Sequence, residues 1–346
     1  MADGIRLYDH GQQLELVSES LHDERRSVPT GFAGLDLLLR RGGLLPGNLV
    51  VLGGRTGTRK STVIANMMVS MARRGVPVGL VGLDEQPWQY VVSLLSVWTG
   101  HSRSWVEERW DEPEGRTLRA DWKDFARGLV HLFGGQRPGV DHLSQATKMA
   151  DLGDSNAPAV VFVDYLNKLS RSGQYGYAEV SRVPRLVEDL GIWTTESGNI
   201  VVALHQLGRN DEYGQSNNRN AGHVPVTLAQ LKYGGEEDAD LVIGTYRPAM
   251  NPLAEMDISV AKQTLGPAFD EDVYYEIRGI AKRLENSTFL QLLKNRPGEH
   301  RELRGIELLS AYGDSLLMTE REGKEEHDGQ AERERDRRGV QPGGTV

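Results

Sequence analysis

The sequence contains no cysteine, so disulfide bonds and cysteine-ligated metal sites are excluded. It also lacks an apolar run long enough to cross a bilayer, and its first residues show no signal-peptide pattern. Basic residues are outnumbered by acidic ones, 40 to 49, and the resulting formal net charge of -9 argues against a surface coated with cations. We therefore expect a cytoplasmic protein without a membrane partner, in which any nucleic-acid binding is confined to loops or a channel.

The rest of the composition is that of a globular protein, with 38% hydrophobic and 26% charged residues among 346. Residues 1–26 form a polar segment too short for a domain. Residues 319–346 are almost devoid of apolar side chains, which predicts a disordered charged tail. The segment between them, 27–318, is predicted to be one domain. Within it, the stretches at about 101–127 and 250–285 are predicted to be helical insertions.

Short apolar runs alternate with longer amphipathic stretches across this domain. Continuous apolar runs are typical of parallel strands buried on both faces, and their alternation with helices favours an open α/β sheet. The predicted strands are Leu49–Leu52, Val78–Leu83, Leu129–Phe133, Ala159–Val163, Ile200–Leu204, Leu241–Thr245 and Phe289–Leu293. We therefore predict an α/β fold with a mostly parallel central sheet flanked by helices, whose ligands bind at the carboxyl ends of the strands.

The segment 49–62 predicts a phosphate-binding loop. From Gly54 it reproduces almost the whole P-loop pattern G-x-x-x-x-G-K-[ST], in which backbone N–H groups and a helix N-terminus bind phosphate. Lys60 is predicted to reach the β- and γ-phosphates of ATP, and the Ser61 hydroxyl to bind Mg²⁺. The predicted nucleotide-binding residues are Gly54, Arg55, Thr56, Gly57, Thr58, Arg59, Lys60, Ser61 and Thr62.

One position departs from the pattern, because Arg59 stands where the second glycine is expected. If the site needs a backbone conformation that favours glycine, Arg59 introduces strain. Alternatively, its guanidinium adds a phosphate contact. A chance glycine-rich turn is the third interpretation, and the remaining motifs argue against it.

Two further apolar runs end in carboxylates. Asp164 follows the run from Ala159, where a P-loop protein needs an acid that holds Mg²⁺, here through water. Asp84 and Glu85 follow the run that begins at Val78, and a carboxylate there can orient and deprotonate the water that attacks the γ-phosphate. The residues alone leave the choice between Asp84 and Glu85 open.

A third run delivers His205 and Gln206 to the same edge of the predicted sheet. A glutamine in this place can sense the γ-phosphate through a hydrogen bond and pass the signal to the following loop, so we predict that role for Gln206. A single histidine beside a strand end is more typical of a structural residue, which is the interpretation we favour for His205.

Two glycine-rich loops follow Asp164 and Gln206, and both carry cations and tyrosines suited to phosphate and base contacts. We predict that residues in or beside these loops bind DNA, the alternative being ordinary surface loops. The predicted DNA-binding residues are Lys168, Arg171, Arg209 and Lys232.

The last predicted strand finishes in two alternating cations, Lys294 and Arg296, whose side chains point the same way because strand residues alternate with period two. A pair of cations at a sheet edge suits a γ-phosphate. In an oligomer that phosphate can belong to the nucleotide of the neighbouring subunit, as with an arginine finger.

Taken together, these segments resemble the RecA-like motor domain of DnaB-type replicative helicases. The resemblance covers roughly Val28 to Ser310 and singles out Glu85, two residues before Pro87, as the catalytic glutamate. The other segments that carry it are Ser27–Asp36, Gly43–Leu49, Val163–Leu166, Ala203–Arg209, Leu231–Asp240 and Lys294–Arg296.

The resemblance implies an ATP-dependent DNA helicase that couples hydrolysis at subunit interfaces to translocation on single-stranded DNA during replication. It implies ATP and Mg²⁺ as cofactors, a homo-oligomer of hexamer type, and catalytic roles for Lys60, Glu85, Gln206, Lys294 and Arg296. A primase or a loader is a candidate partner, although the printed sequence shows no counterpart of the N-terminal helical domain of bacterial DnaB. A further departure is the insertion 250–285, which is longer than expected for the family. These departures, with the one at Arg59, favour a bacteriophage-encoded version that works in the host bacterial cytoplasm.

Two other hypotheses fit the motifs less well. A RadA- or KaiC-like ATPase in recombination or regulation shares the lead-in to the P-loop, but the Lys-x-Arg pair and the Asp-Tyr-Leu segment favour the helicase. A weakly hydrolysing scaffold that binds nucleotide and DNA is suggested by Arg59.

Overall fold

The computed structural model describes residues 27–131, 138–153, 158–169, 179–207, 222–231, 237–296, 306–310 and 317–320. Within them, nine strands form one sheet in the order β3-β2-β4-β5-β1-β6-β7-β8-β9. The strands are β1 Leu49–Gly54, β2 Val78–Gly82, β3 Leu129–His131, β4 Val160–Asp164, β5 Ile200–Gln206, β6 Leu241–Tyr246, β7 Ser287–Asn295, β8 Ile306–Ser310 and β9 Met318–Glu320. The strands from β1 to β6 pair in parallel, whereas β7, β8 and β9 are antiparallel additions.

One helix precedes β1, and the other helices of the described residues lie between strands. They are α1 Ala33–Leu38, α2 Lys60–Arg73, α3 Pro87–Thr99, α4 Arg103–Glu108, α5 Pro113–Phe125, α6 Val140–Met149, α7 Glu179–Ser197, α8 Pro252–Glu255, α9 Ile258–Leu265 and α10 Glu271–Arg283. Both stretches predicted to be helical insertions therefore carry helices, α4 and α5 in the first and α8 to α10 in the second. In the described part of the chain, no helix is both long and apolar enough to cross a membrane.

The central strand β1 shows why the sheet is buried on both faces. All of its residues are buried, and because strand side chains alternate, Val50 and Leu52 pack into the core on one face. Leu49 packs with α7 in a second core that includes Val187 and Leu190. Continuous apolar sequence is what such a two-sided environment requires.

The predicted fold is confirmed: a mostly parallel sheet is flanked by helices, and each of the seven predicted strands is present. The strands β8 and β9 were not predicted from the sequence. Their presence corrects the start of the predicted tail, because Thr319 pairs with Leu309 and the Glu320 carboxylate accepts hydrogen bonds from the Gly34 N–H at 2.8 Å. Residues 1–26 and 321–346 lie outside the described residues.

Candidate active site

Strand register brings the predicted site residues to one edge of the sheet. At the carboxyl end of β1, Gly54 is paired with Gln206 on one side and Thr245 on the other. Two strands away, Gly82 is paired with Asp164. Because parallel strands all end at this edge, which we call the carboxyl edge, the P-loop, the acid and the glutamine become neighbours.

The P-loop turn is shaped by close packing beneath it. A Cβ on Gly54 would lie 2.1 Å from Thr245 Oγ1 and 2.6 Å from Thr58 Oγ1, so no side chain fits at this position. The hydroxyls of Thr58 and Thr245 share a hydrogen bond of 2.7 Å, and Thr58 Oγ1 also donates to the Arg55 carbonyl at 2.8 Å. Gly57 has a φ of 84°, a left-handed conformation that favours glycine.

Arg59 adopts the left-handed conformation as well, with φ 64° and ψ 29°. The strain expected from the missing glycine is therefore present in the backbone. The Arg59 guanidinium donates to the Ser310 hydroxyl and, at 3.3 Å, to the Asn286 carbonyl, and so ties the P-loop to β7 and β8. Partial burial, with Arg247 nearby, lowers the pKa of Arg59 to about 10.

Lys60 begins α2 and folds back over the turn. Its Nζ donates to the carbonyls of Gly54 and Arg55, both at 2.9 Å, which places the ammonium in the cradle where phosphates bind in a P-loop. Burial lowers the pKa of Lys60 to about 8, and the carboxylates of Asp164 and Asp84 partly oppose this shift.

Asp164 is the buried acid of the site, with 2% of its surface exposed. It receives a hydrogen bond from the Ser61 hydroxyl, and Tyr90 Oη donates to its Oδ2 at 3.3 Å. Burial raises the pKa of Asp164 to about 6; the Ser61 bond lowers it and the charge of Asp84 raises it.

The donors present fit a magnesium ion held with a nucleotide. In the described residues, no group of three or more His, Asp or Glu side chains forms a metal cage. Mg²⁺ bound together with phosphates needs none, because one or two oxygen ligands, water and the phosphates complete its octahedron. The hydrogen-bonded pair of Ser61 hydroxyl and Asp164 carboxylate supplies such ligands. A bound cation would also compensate the buried charge of Asp164.

Tyr90, which the sequence did not single out, joins the acid to the next strand end. Its hydroxyl accepts the backbone N–H groups of Asp84 at 3.2 Å and Glu85 at 3.3 Å, while donating to Asp164. Its ring lies against Gly82, where a Cβ would be 2.4 Å from Tyr90 Cε2. One side chain therefore joins the Asp164 carboxylate to the backbone segment that carries Asp84 and Glu85.

Asp84 and Glu85, the two candidates for the catalytic base, form different ion pairs. Asp84 forms an ion pair of 2.7 Å with Lys168 Nζ, whose pKa is raised chiefly by that hydrogen bond. Glu85 has a longer ion pair, 3.9 Å to Arg103 at the start of α4. Of the two carboxylates, Glu85 is thus held less tightly, which favours it as the group that faces a water molecule.

At the end of β5, Gln206 and His205 have different environments. The exposed Gln206 side chain donates to Thr56 Oγ1 in the P-loop at 2.7 Å. His205 is buried, lies 2.9 Å from Asn167 Oδ1 through its Nδ1, and has a pKa lowered to about 4 by burial and by Lys60. A neutral, buried, hydrogen-bonded histidine matches the structural role predicted for it.

Lys294 and Arg296 do not join this group. Strand β7 runs antiparallel to β6, so Asn295 is paired with Leu241, at the start of β6 and at the opposite edge of the sheet. Lys294 Nζ and Arg296 Nη2 both donate to the Glu237 carbonyl, at 2.8 and 2.7 Å. The length of β6 puts these cations roughly 17 Å from the carboxyl edge.

Of the predicted DNA-binding residues, the structure describes Lys168, which lies at the carboxyl edge with Asp84. Arg171, Arg209 and Lys232 lie outside the described residues. The loops that follow Leu169 and Leu207 leave from neighbouring parallel strands, β4 and β5, at the same edge as the P-loop.

Comparison with known proteins gives a family and a fold. A family model described as the DnaB-like helicase C terminal domain matches residues 27–282. A solved structure described as an ATPase domain superposes with a TM-score of 0.67 at 17% identity, covering 92% of this chain and 100% of that one. A search of curated proteins finds no match.

Two other solved structures are similar. One is a DnaB-like replicative helicase, described with its interactions with primase; its TM-score is 0.65 at 16% identity, and the match covers 93% of this chain and 69% of that one. The other is a KaiC-like protein from Pyrococcus horikoshii OT3, with a TM-score of 0.49 at 16% identity, covering 86% and 99%. At these identities, the similarity to the ATPase domain and to the replicative helicase shows a shared fold.

Proposed function

Because this chain belongs to the DnaB-like helicase family, we propose that it is an ATP-driven motor that translocates on single-stranded DNA during replication. The observation that carries the proposal is the meeting of Lys60, Asp164 and Glu85 at one edge of the sheet. Phosphoryl transfer depends on positioning and electrostatic stabilisation, and these groups supply a cation, a metal ligand and a base.

We propose that ATP binds with its phosphates in the turn from Gly54 to Thr62. Lys60 leaves its two carbonyl partners for the β- and γ-phosphates, while Ser61 and Asp164 hold Mg²⁺, Asp164 through water. The ion supplies charge neutralisation on the β- and γ-phosphate oxygens. Glu85 orients and deprotonates the attacking water, positioned through the bond from its backbone N–H to Tyr90.

Gln206 is proposed to report the state of the γ-phosphate. Its amide donates to Thr56 within the P-loop, and the chain continues from Gln206 into the loop proposed to bind DNA. If the Gln206 amide exchanged its hydrogen bond to the Thr56 hydroxyl for one to a γ-phosphate oxygen, Gln206 would move, and the start of that loop would move with it. The same carboxyl edge carries Lys168, which we propose contacts the DNA backbone together with Arg171, Arg209 and Lys232.

The position of Lys294 and Arg296 supports action on a neighbouring subunit. At the far edge of the sheet they are too distant to reach phosphates on their own P-loop, whereas a head-to-tail oligomer can bring that edge to the next site. We therefore propose a homo-oligomer, of hexamer type, with Arg296 as the arginine finger. A primase or loader as partner, bacteriophage origin and action in the host cytoplasm complete the proposal.

The test of this function is ATP hydrolysis with and without single-stranded DNA, followed by unwinding of a forked duplex. We expect DNA-stimulated hydrolysis and unwinding by the natural chain, and neither by the Lys60→Ala variant. Nucleotide and DNA binding without turnover would instead identify a scaffold, an outcome that the left-handed Arg59 in the P-loop makes worth testing.

A further inference from the structure

A cavity of about 490 Å³ lies among the helices α3, α4 and α5, and none of its lining residues takes part in the candidate active site. This volume falls in the range of small-molecule sites. Among the described residues that line the cavity, two are carboxylates and none is a lysine or an arginine. The side chains that give it chemical character are Trp98, His101, Trp105, Glu114, Leu118 and Asp121.

The aromatic walls of this cavity are held by neighbouring rings. The centroid of the Trp98 ring lies 5.6 Å from that of Trp122, in an edge-on arrangement, and 5.3 Å from that of Phe125. The His101 imidazole is stacked on Trp105, with the ring centroids 3.8 Å apart and the planes inclined by 17°. Because these rings are already packed, they can contact a ligand with little loss of side-chain entropy.

The turn between α3 and α4 fixes the backbone of this wall. Helix α3 ends at Gly100, whose φ of 77° is left-handed and favours glycine. The Ser96 hydroxyl then donates to the His101 carbonyl at 2.5 Å. Ser102 caps α4, because its hydroxyl accepts the Trp105 backbone N–H at 3.1 Å. The positions of His101 and Trp105 are therefore set by the hydrogen bonds of the turn.

The carboxylates of the cavity lie on one face of α5. Glu114, Leu118 and Asp121 are spaced by four and three residues, and two helical turns separate the two acids by roughly 10 Å along the axis. Glu114 has an ion pair of 3.7 Å with Arg109. Within the part of the chain that the structure describes, the exposed Asp121 carboxylate has no ion pair or hydrogen bond. An uncompensated carboxylate beside aromatic rings favours a cation as ligand.

The same helices already hold cations against aromatic rings. The Arg109 guanidinium lies 5.0 Å from the centre of the Trp105 ring, and the Arg119 guanidinium lies 4.9 Å from the centre of the Trp110 ring. Indole rings attract cations because the faces of their π-systems carry negative charge. The surroundings of the cavity thus accommodate positive charge next to apolar surface.

We propose that this cavity binds a linear aliphatic polyamine, with one terminal ammonium at Asp121 and the other at Glu114. The methylene segments between them pack along Leu118 and against the rings of His101 and Trp105. An extended polyamine of the length of spermidine spans the separation of the two carboxylates. A compact inorganic cation matches the charge of the cavity and not its apolar walls, and a monoamine reaches only one carboxylate. The site is separate from the P-loop and does not depend on the proposed function.

Calorimetric titration of the full chain with spermidine and with hexaamminecobalt(III) separates recognition of the alkyl chain from attraction to charge. Both probes carry three positive charges, and physiological ionic strength screens their general attraction to an acidic surface. We expect saturable spermidine binding that hexaamminecobalt(III) does not displace. Asp121→Asn should weaken spermidine binding by about threefold to fivefold, the upper part of the range for exposed ion pairs. Glu107→Gln removes the same charge from an exposed residue of α4 that does not line the cavity, and should change nothing.

Absence of saturable spermidine binding by the natural chain would overturn the assignment. Equal weakening by Asp121→Asn and Glu107→Gln, or displacement by hexaamminecobalt(III), would also overturn it, because either result indicates attraction to net charge alone. A second readout needs no variant: spermidine should shift the NMR signals of the indole N–H groups of Trp98 and Trp105 and leave that of the buried Trp193 unmoved. Unmoved Trp98 and Trp105 signals at saturating spermidine would place the ligand elsewhere and refute the inference.

Discussion

The two ends of strand β7 lie in contrasting surroundings. Its start lies beside the P-loop, where Asn286 and Ser310 bind Arg59 at the carboxyl edge. Its end carries Lys294 and Arg296 at the opposite edge, next to Glu237 and Asp240. The carboxyl edge gathers Lys60 and the carboxylates of Asp164 and Glu85, whereas the opposite edge holds the two cations that we propose act on a phosphate. Under the proposed function, these two edges are two parts of one site that a single chain cannot assemble alone.

Burial sharpens the contrast between these edges. Asp164 and Lys60 are buried and held by hydrogen bonds, Asp164 by the Tyr90 hydroxyl and Lys60 Nζ by the Gly54 and Arg55 carbonyls, and their burial shifts the pKa of each. The Arg296 side chain is 54% exposed and lies 3.5 Å from Asp240, a geometry typical of pairs that contribute about 0–1 kcal/mol. In the proposed exchange, Arg296 would give up this weak pair and the 2.7 Å hydrogen bond to the Glu237 carbonyl, and the phosphate oxygens of the neighbouring site would replace both.

The largest effects are expected from changes at the carboxyl edge. Lys60→Ala removes the cation on the β- and γ-phosphates, so hydrolysis should fall to the background rate. Glu85→Gln should keep nucleotide binding and lower hydrolysis by about 10²- to 10⁴-fold, the range for a general base. Steady-state rates of ATP hydrolysis and equilibrium ATP binding are measured for both variants. Normal turnover by Glu85→Gln together with loss in Asp84→Asn would transfer the role of base to Asp84.

At the opposite edge, Arg296→Ala should bind ATP normally and hydrolyse it about 10³-fold more slowly, the lower end of the range for arginine fingers. The reason is that the missing cation stabilises charge in a neighbouring site during the reaction. Lys294→Ala is the companion variant at the same edge. Full DNA-stimulated hydrolysis by a monomer would contradict this prediction, because a monomer has no neighbouring subunit to supply Arg296.

A mixing experiment tests whether the two edges belong to different subunits. Arg296→Ala and Lys60→Ala chains, each inactive alone, should regain part of the activity when combined. Some junctions then pair an intact P-loop from one chain with an intact arginine from the other. Mixing either variant with itself is the control. Restored hydrolysis would be direct support for a site shared between subunits.

Local sequence predicted the carboxyl edge well because its chemistry lies on continuous segments. Apolar runs that end in acids predict strands followed by carboxylates, and the glycine pattern predicts the turn before Lys60. Once these strands pair in parallel, the carboxylates and Lys60 must lie at the same edge of the sheet. Local sequence did not predict the role of Tyr90, because its hydrogen bond to Asp164 joins residues that are 74 positions apart. Strands β8 and β9 were not predicted because neither contains a continuous apolar run: Glu307 interrupts β8, and two of the three residues of β9, Thr319 and Glu320, are polar.

The pH dependence of kcat/KM tests the organisation of the carboxyl edge. Asp164 must be ionised, so activity should fall as pH drops through about 6, and Lys60 must be charged, so it should fall as pH rises through about 8. Tyr90→Phe removes a hydrogen bond that lowers the pKa of Asp164, so its acid limb should move to higher pH. An unmoved acid limb would reduce Tyr90 to a packing role.

Neutralising cations at the carboxyl edge should weaken binding of single-stranded DNA, whereas neutralising cations at the opposite edge should not. Replacing Arg171, Arg209 and Lys232 by alanine should flatten the dependence of affinity on salt by roughly one unit of slope for each lost phosphate contact. A control triple variant removes exposed cations near the opposite edge, Lys123, Arg127 and Lys148. If both triple variants bind single-stranded DNA alike, the loops at the carboxyl edge are ordinary surface.

The smallest expected effect concerns Arg59, which links the P-loop to the start of β7. Its left-handed backbone is unfavourable for any residue with a Cβ, whereas its side chain gains hydrogen bonds to Ser310 and Asn286. Arg59→Ala loses those bonds and keeps the strain; Arg59→Gly loses both. We therefore expect the glycine variant to exceed the alanine variant in unfolding free energy by about 0.5–1 kcal/mol, after allowing for the greater freedom of unfolded glycine. Urea denaturation measures this difference, and equal stabilities would mean that the turn relaxes once the arginine is removed.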